Sequence, residues 1–196
     1  VNVKFSQHDA LLVVDLQYDF LPEGALHVPQ GNVVIPIINT LIAEASKGQA
    51  MVIASRDWHP ADHISFHEQG GPWPPHCIQN THGAEFHKNV QFPQNTIIVS
   101  KAFKADHEAY SAFAGETTDG QPLANVLKKQ HVNRLIICGL ALDYCVKATS
   151  FDAVKEGFEA VVIEDATRAI NEEDGQEAIR LLKSFGVVFT DSSHIG

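Results

Sequence analysis

Apolar residues in this chain fall into short unbroken runs. Ala10 to Val14, Ala50 to Ala54, Asn95 to Ser100, Leu135 to Cys138, Ala160 to Ile163 and Val187 to Thr190 each read as a strand. Strands with no polar alternate are covered on both faces. Between most of them the period changes to that of a helix. Asn32 caps a helix with Val33, Val34, Ile37, Ile38, Leu41, Ile42 and Ala45 on one face, and Gly48 closes it. Pro36 is tolerable in its first turn. Pro122 to Gln130 is a second helix. Tyr144, Ala148, Phe151 and Val154 mark a third, with Asp143 as N-cap and Gly157 at its end. Glu172 to Phe185 is a fourth, with Gly186 just past it. The pattern predicts a three-layer α/β fold: one six-stranded parallel sheet, helices on both faces, a single domain over 1–196.

One stretch has neither period. Asp57 to Pro93 is rich in His, Pro and Gly, and a loop this long inside a compact domain is ordinarily functional. It holds six of the eleven histidines. The overall composition, 44% hydrophobic over 196 residues, fits one globular core. A net charge of −10 without any basic stripe argues against nucleic acid as a partner. The longest apolar runs are strand length, so no membrane span is expected, and no secretory leader is read. Three cysteines make no disulfide framework and point to a reducing compartment, the cytoplasm. The oligomeric state stays open, a homo-oligomer included.

In an open parallel sheet, ligands bind beyond the carboxyl ends of the strands. Asp15, Asp57, Lys101 and the turn from Gly139 to Cys145 all follow strands directly. Cys145 falls in the first turn of a helix, where backbone N–H groups and the helix dipole favour a thiolate and could hold an oxyanion. Asp15 could take its proton, and Lys101 supplies a cation. The competing reading is a buried structural cysteine among ordinary turn residues. In the long loop, Asp57 and His59 point the same way in extended chain, and His76 could bring a second imidazole. Two histidines and a carboxylate suit Zn, Fe or Mn, with His63, His67 and Glu68 as further donors. The alternative is a His-rich surface loop without metal. Cys77 and Cys138 read as buried.

The stretches VVDLQYDF, SRDWHPADHISF, GGPWPPHC, the lysine after IIVS, and GLALDYCVKATSFDA carry a likeness. Together, from about Ala10 to Ile170, they resemble the nicotinamidases (nicotinamide deamidases, also active on pyrazinamide) of the isochorismatase-like cysteine hydrolase superfamily. The resemblance implies hydrolysis of nicotinamide to nicotinate and ammonia, a step of NAD salvage, through a cysteine thioester. It implies Asp15, Lys101 and Cys145 as the catalytic triad. It implies Asp57, His59 and His76 as ligands of one divalent ion, zinc foremost, with Fe or Mn as alternatives. Phe20, Trp73, Tyr110 and Tyr144 would wall the pyridine pocket. The Leu140–Ala141 bond would be cis, and the amides of Ala141 and Cys145 would form the oxyanion hole. Leu142 departs from the pattern, since many relatives have Thr there. A related superfamily amidase or isochorismatase-like hydrolase for another small molecule is the alternative, and metal dependence separates the two.

Overall fold

A computed structural model describes residues 2–196; Val1 lies outside them. Six strands, β1 (Asp9–Val14), β2 (Met51–Asp57), β3 (Ile97–Lys101), β4 (Arg134–Leu140), β5 (Glu159–Arg168) and β6 (Val188–Thr190), form one parallel sheet in the order β3-β2-β1-β4-β5-β6. The helices are α1 (Val34–Lys47), α2 (Leu123–Lys129), α3 (Lys147–Lys155) and α4 (Glu172–Ser184).

The unbroken apolar runs have a direct cause. Leu11 and Val13 pack on one face of the sheet with Ile38, Leu41 and Ile42 of α1. Ala10, Leu12 and Val14 pack on the other face with Leu127 of α2, Ala153 of α3 and Leu182 of α4. Both faces of β1 are therefore buried, and its only polar residue, Asp9 at the start, is paired with Arg134 at 2.8 Å. On the α1 face, parts of the long loop complete the cover, including Cys77, Ala84 and Val90. Among the described residues no helix is long and apolar enough to cross a membrane.

Several boundaries differ from the sequence reading. Asn32 does not cap α1. It sits in a 3-10 turn, Gly31–Val33, and α1 begins at Val34 with no side-chain cap. The third strand begins at Ile97. β5 runs on through Asp165, Ala166 and Thr167, because a register shift against β4 between Ile137 and Gly139 lets Thr167 pair with Gly139. Asp143 is not an N-cap. The chain after β4 makes a π-helical turn, Leu142–Val146, before α3 starts. The Asp143 carboxylate accepts instead from the N–H groups of Ile170 and Asn171, at 2.9 and 3.0 Å. Leu140–Ala141 is a cis peptide.

The order of strands reverses between β1 and β4, since each sends the chain outward to its own side of the sheet. A crevice opens at the carboxyl ends at such a point. Gly139 makes the close approach possible there. Its φ is +109°, and a Cβ would stand 2.2 Å from the Val14 carbonyl oxygen.

Candidate active site

Asp15 follows β1, Asp57 ends β2, Lys101 ends β3, and Cys145 lies in the turn after β4. The sheet order brings all four together beyond one edge. Lys101 is completely buried and sits at their centre. Its Nζ is 2.9 Å from Asp15 Oδ2 and 3.3 Å from Cys145 Sγ, and it donates to Asp57 Oδ1. Ser55 Oγ donates to Asp15 Oδ1 at 2.8 Å. Asp15 Oδ2 has no aligned hydrogen bond, so it keeps an acceptor position on the cysteine side.

Burial pushes the Asp15 carboxyl up; Lys101 opposes this and Asp57 adds to it. Burial acts in the same sense on Asp57, but Lys101, His59 and His76 outweigh it and hold Asp57 well below the usual carboxylate range. Burial disfavours the Lys101 ammonium, yet Asp15 and Asp57 overcome that and push it well above its ordinary value. Burial pushes the Cys145 thiol well up; Lys101 pulls it back, and the two carboxylates raise it further. Burial and the two carboxylates thus favour the protonated thiol, and Lys101 favours the thiolate. Cys145 sits in a π-helical turn and not in the first turn of an α-helix.

The second constellation meets the first at Asp57. Its Oδ2 is 3.4 Å from His59 Nε2 and 3.6 Å from His76 Nε2, and the three donor atoms lie within 4.8 Å of one another. The protonation of each ring follows from its far side. His59 Nδ1 faces the Ala102 carbonyl at 3.1 Å, and His76 Nδ1 faces the Pro74 carbonyl at 2.8 Å. A carbonyl only accepts, so each Nδ1 carries a hydrogen, and each Nε2 is the atom that faces Asp57 Oδ2. Two imidazole Nε2 atoms and a carboxylate, each ring oriented by a carbonyl, suit a divalent ion that would replace the protons they share with Asp57. A second acidic group, Asp15, Asp57 and Cys145, has comparable spacing but already contains the Lys101 ammonium, so its cation is in place.

His67 and Glu68 are not brought to this site; both are exposed, and His67 Nε2 donates to the Pro72 carbonyl at 2.9 Å. His63 is buried beside His59, with ring centroids 4.2 Å apart, but its donors point elsewhere. Cys77 and Cys138 are buried, as read.

A narrow cavity of about 30 Å³ touches both constellations, reaching Cys145 and His76. Phe20, Trp73, Tyr110 and Tyr144 all line it, with Leu26 and Ile170 closing the rest. Trp73 meets Tyr144 edge-on, centroids 5.0 Å apart, and its Nε1–H donates to Tyr110 Oη at 3.1 Å. Larger clefts, such as that beside Tyr18 and His82, contain neither a nucleophile nor this ligand set.

Residues 9–193 match the Isochorismatase domain. The chain belongs to the isochorismatase family. It is 39% identical to the nicotinamidase of Escherichia coli (strain K12) over 179 residues, 83% of this chain and 84% of that protein. It resembles the pyrazinamidase of Pyrococcus horikoshii solved in complex with zinc, at 48% identity and a TM-score of 0.88, covering 94% of this chain and 99% of the other. It also resembles PnC1 from L. infantum in complex with nicotinate, at 36% identity and a TM-score of 0.91, covering 100% and 99%. The fold is that of an isochorismatase-like hydrolase.

Sequence reasoning missed the residues that hold this family's site in place here. Gln17 is buried; its amide donates to the Asp57 and Ala84 carbonyls at 2.8 and 2.9 Å and accepts from the Asp57 N–H at 2.9 Å. Ser55 fixes Asp15. Asp19 Oδ2 accepts from the Cys77 N–H at 2.7 Å, next to His76. A signal existed for Ser55, which is polar and sits two residues before Asp57 on the same side of β2; Gln17 follows Asp15 through a tight turn, its N–H donating to the Asp15 carbonyl at 2.8 Å. Backbone conformation adds a second signature. Asp15, Cys77 and Ala102 have φ of 50°, 47° and 52°. Each is a site residue or adjoins one, and such turns persist where the surroundings over-determine them.

Proposed function

We propose that this protein hydrolyses nicotinamide to nicotinate and ammonia through a thioester on Cys145, and that pyrazinamide is a second substrate. The observation that carries this reading is that one aromatic-walled cavity reaches both the Cys145 thiol and the His76 imidazole. Its lining suits a flat heteroaromatic amide, which would enter as the aromatic walls part: a carbon for the sulfur at one end, a ring nitrogen for the ligand set at the other. Relatives solved with zinc and with nicotinate support it.

Phe20, Trp73, Tyr110 and Tyr144 bind the ring. Asp57, His59 and His76 would hold one divalent ion, for which we favour zinc over Fe or Mn, and its chemistry is that of a Lewis acid anchoring and polarising the pyridine. Asp15 Oδ2 takes the Cys145 proton as sulfur bonds to the carboxamide carbon. The carbonyl π electrons move onto oxygen, which the N–H groups of Ala141 and Cys145 receive. Lys101 keeps its proton and stabilises both the sulfur and Asp15. As the tetrahedral species collapses, the C–N bond breaks and the nitrogen takes the proton from Asp15, leaving as ammonia. A thioester remains. Water attacks it while Asp15 takes the water proton; the C–S bond then breaks, and Asp15 returns the proton to sulfur. Three free, buried cysteines fit a reducing compartment, and we place the enzyme in the cytoplasm, in pyridine nucleotide salvage. We assign the activity to one domain over 1–196.

The test is ammonia release from nicotinamide by the protein as purified, after chelation, and after thiol alkylation. Loss on both treatments is the expected result. Loss on alkylation alone would leave the thiol and remove the metal role, redirecting the search to other amides. Survival through alkylation would overturn the scheme.

A further inference from the structure

His63 stands where a fourth metal ligand would be sought. It is buried, four residues past His59, with the two rings in contact. Its hydrogen bonds commit both nitrogens elsewhere. Nε2 lies 2.8 Å from the carbonyl of His107. The carbonyl can only accept, so Nε2 carries the proton. Nδ1 is then the lone-pair atom, and it is covered: Ser65 Oγ is 2.7 Å away and donates to it, and the Ser65 N–H donates at 3.2 Å. An imidazole used at both ends has no lone pair left to coordinate an ion.

The bonds around this ring lead to the substrate cavity. The Ile64 N–H donates to the Ala105 carbonyl at 2.8 Å, so residues 63–64 are tied twice to 105–107. The Trp73 N–H donates to the Ser65 carbonyl at 2.9 Å. A Cβ on Gly71 would come within 2.1 Å of the Ser65 carbonyl carbon, so the chain from 65 to 73 folds back in contact with itself. Trp73 and Tyr110, which line the cavity and bond to each other, therefore stand on two segments that residues 63–65 join.

We propose that His63 is a positioning residue that sets the Trp73–Tyr110 wall, through Ser65 on one side and the 105–107 segment on the other, and that it is not a metal ligand. The inference rests on the reading of Asp57, His59 and His76 as the metal set. It makes the protein's contribution to the ion three side chains.

The experiment compares wild type with His63→Leu, His63→Gln and Ser65→Ala. Zinc retention is titrated against a chelator, and nicotinamide kinetics are measured on the zinc-loaded proteins. All three variants are expected to keep one zinc with affinity within about threefold of wild type, whereas removing a ligand costs well over the roughly 10–100-fold typical of an outer-sphere change. His63→Leu and Ser65→Ala should raise KM about tenfold with kcat little changed, the pattern of lost binding common to ground and transition states. His63→Gln keeps an N–H within reach of His107 and should fall between. Nitrogen-15 NMR of the zinc-loaded wild type needs no substitution, and is expected to find His63 protonated on Nε2 and free of metal on Nδ1. A metal-bound His63 nitrogen, or loss of zinc in His63→Leu comparable to a His76 variant, would overturn the proposal. So would an unchanged KM in both His63→Leu and Ser65→Ala. If wild type itself bound no zinc, the metal reading would fall while the KM comparison still decided the positioning role.

Discussion

The Asp57 carboxylate divides the site into two regions built on different physics. On its Oδ1 side stand Lys101, Asp15 and Cys145, on the ends of strands and in one turn. They hold one another by charge: one ammonium between two carboxylates, all out of water. On its Oδ2 side stand His59 and His76, on a long loop. They are held by neutral hydrogen bonds from Nδ1 to the carbonyls of Ala102 and Pro74. The first region is mutually dependent, since a buried charge without its partner is costly. The supports of the second carry no charge, so they can orient its rings without a cation. Fragility belongs to the triad and preorganisation to the loop.

The sharpest way to break this contrast is Lys101→Met. It leaves two buried carboxylates facing each other, and should cost about 3–5 kcal/mol of stability as well as activity. Denaturant unfolding measures it. Stability close to wild type would mean that the carboxylates are not held by charge. His76→Ala comes next. It should lower activity by about 10²–10³-fold and abolish metal retention, yet cost little stability beyond the lost packing. Unfolding as marked as that of Lys101→Met would erase the distinction between the regions. The smallest effect concerns Ser55→Ala. As the proposed base, Asp15 must be ionised. Its pKa is already raised by burial, so kcat/KM should fall as pH drops through a value above the ordinary aspartate range. Removing the Ser55 donor disfavours the carboxylate further, moving that acid limb to higher pH, with less than about a tenfold loss on the plateau. A limb that stayed in place would mean that another group sets it.

These regions were also unequally legible from sequence. The proposed triad could be read because apolar runs locate strand ends: Asp15 and Lys101 stand at them, and Cys145 lies in the turn after β4. The proposed donors Asp57, His59 and His76 could be read from residue type and local spacing. What holds them could not be. His63 looked like another donor because its bond to His107 spans 44 positions and involves a carbonyl, which no side-chain pattern encodes. Asp143 looked like a helix cap because Asp before an apolar helical period ordinarily is one. Its real partners, the N–H groups of Ile170 and Asn171, come from just past the end of β5, whose length depended on a register shift. Local chemistry announced the reacting groups; tertiary pairing decided which neighbours were supports.

The strand order has a further consequence, in the timing of synthesis. Of the proposed triad and metal donors, all but the sulfur are made early: Asp15, Asp57, His59, His76 and Lys101 lie within the first 101 residues. β1 is paired on one side by β2, but its other edge waits for β4, more than a hundred residues later. Until the ribosome delivers Arg134–Leu140, a strand apolar on both faces presents an open edge, the kind of surface that recruits a wrong partner. The cysteine arrives immediately behind the strand that closes that edge. A chain stopped short of β4 would therefore lack the nucleophile and carry its most adhesive surface uncovered, which makes incomplete products candidates for chaperone capture or degradation rather than for partial activity.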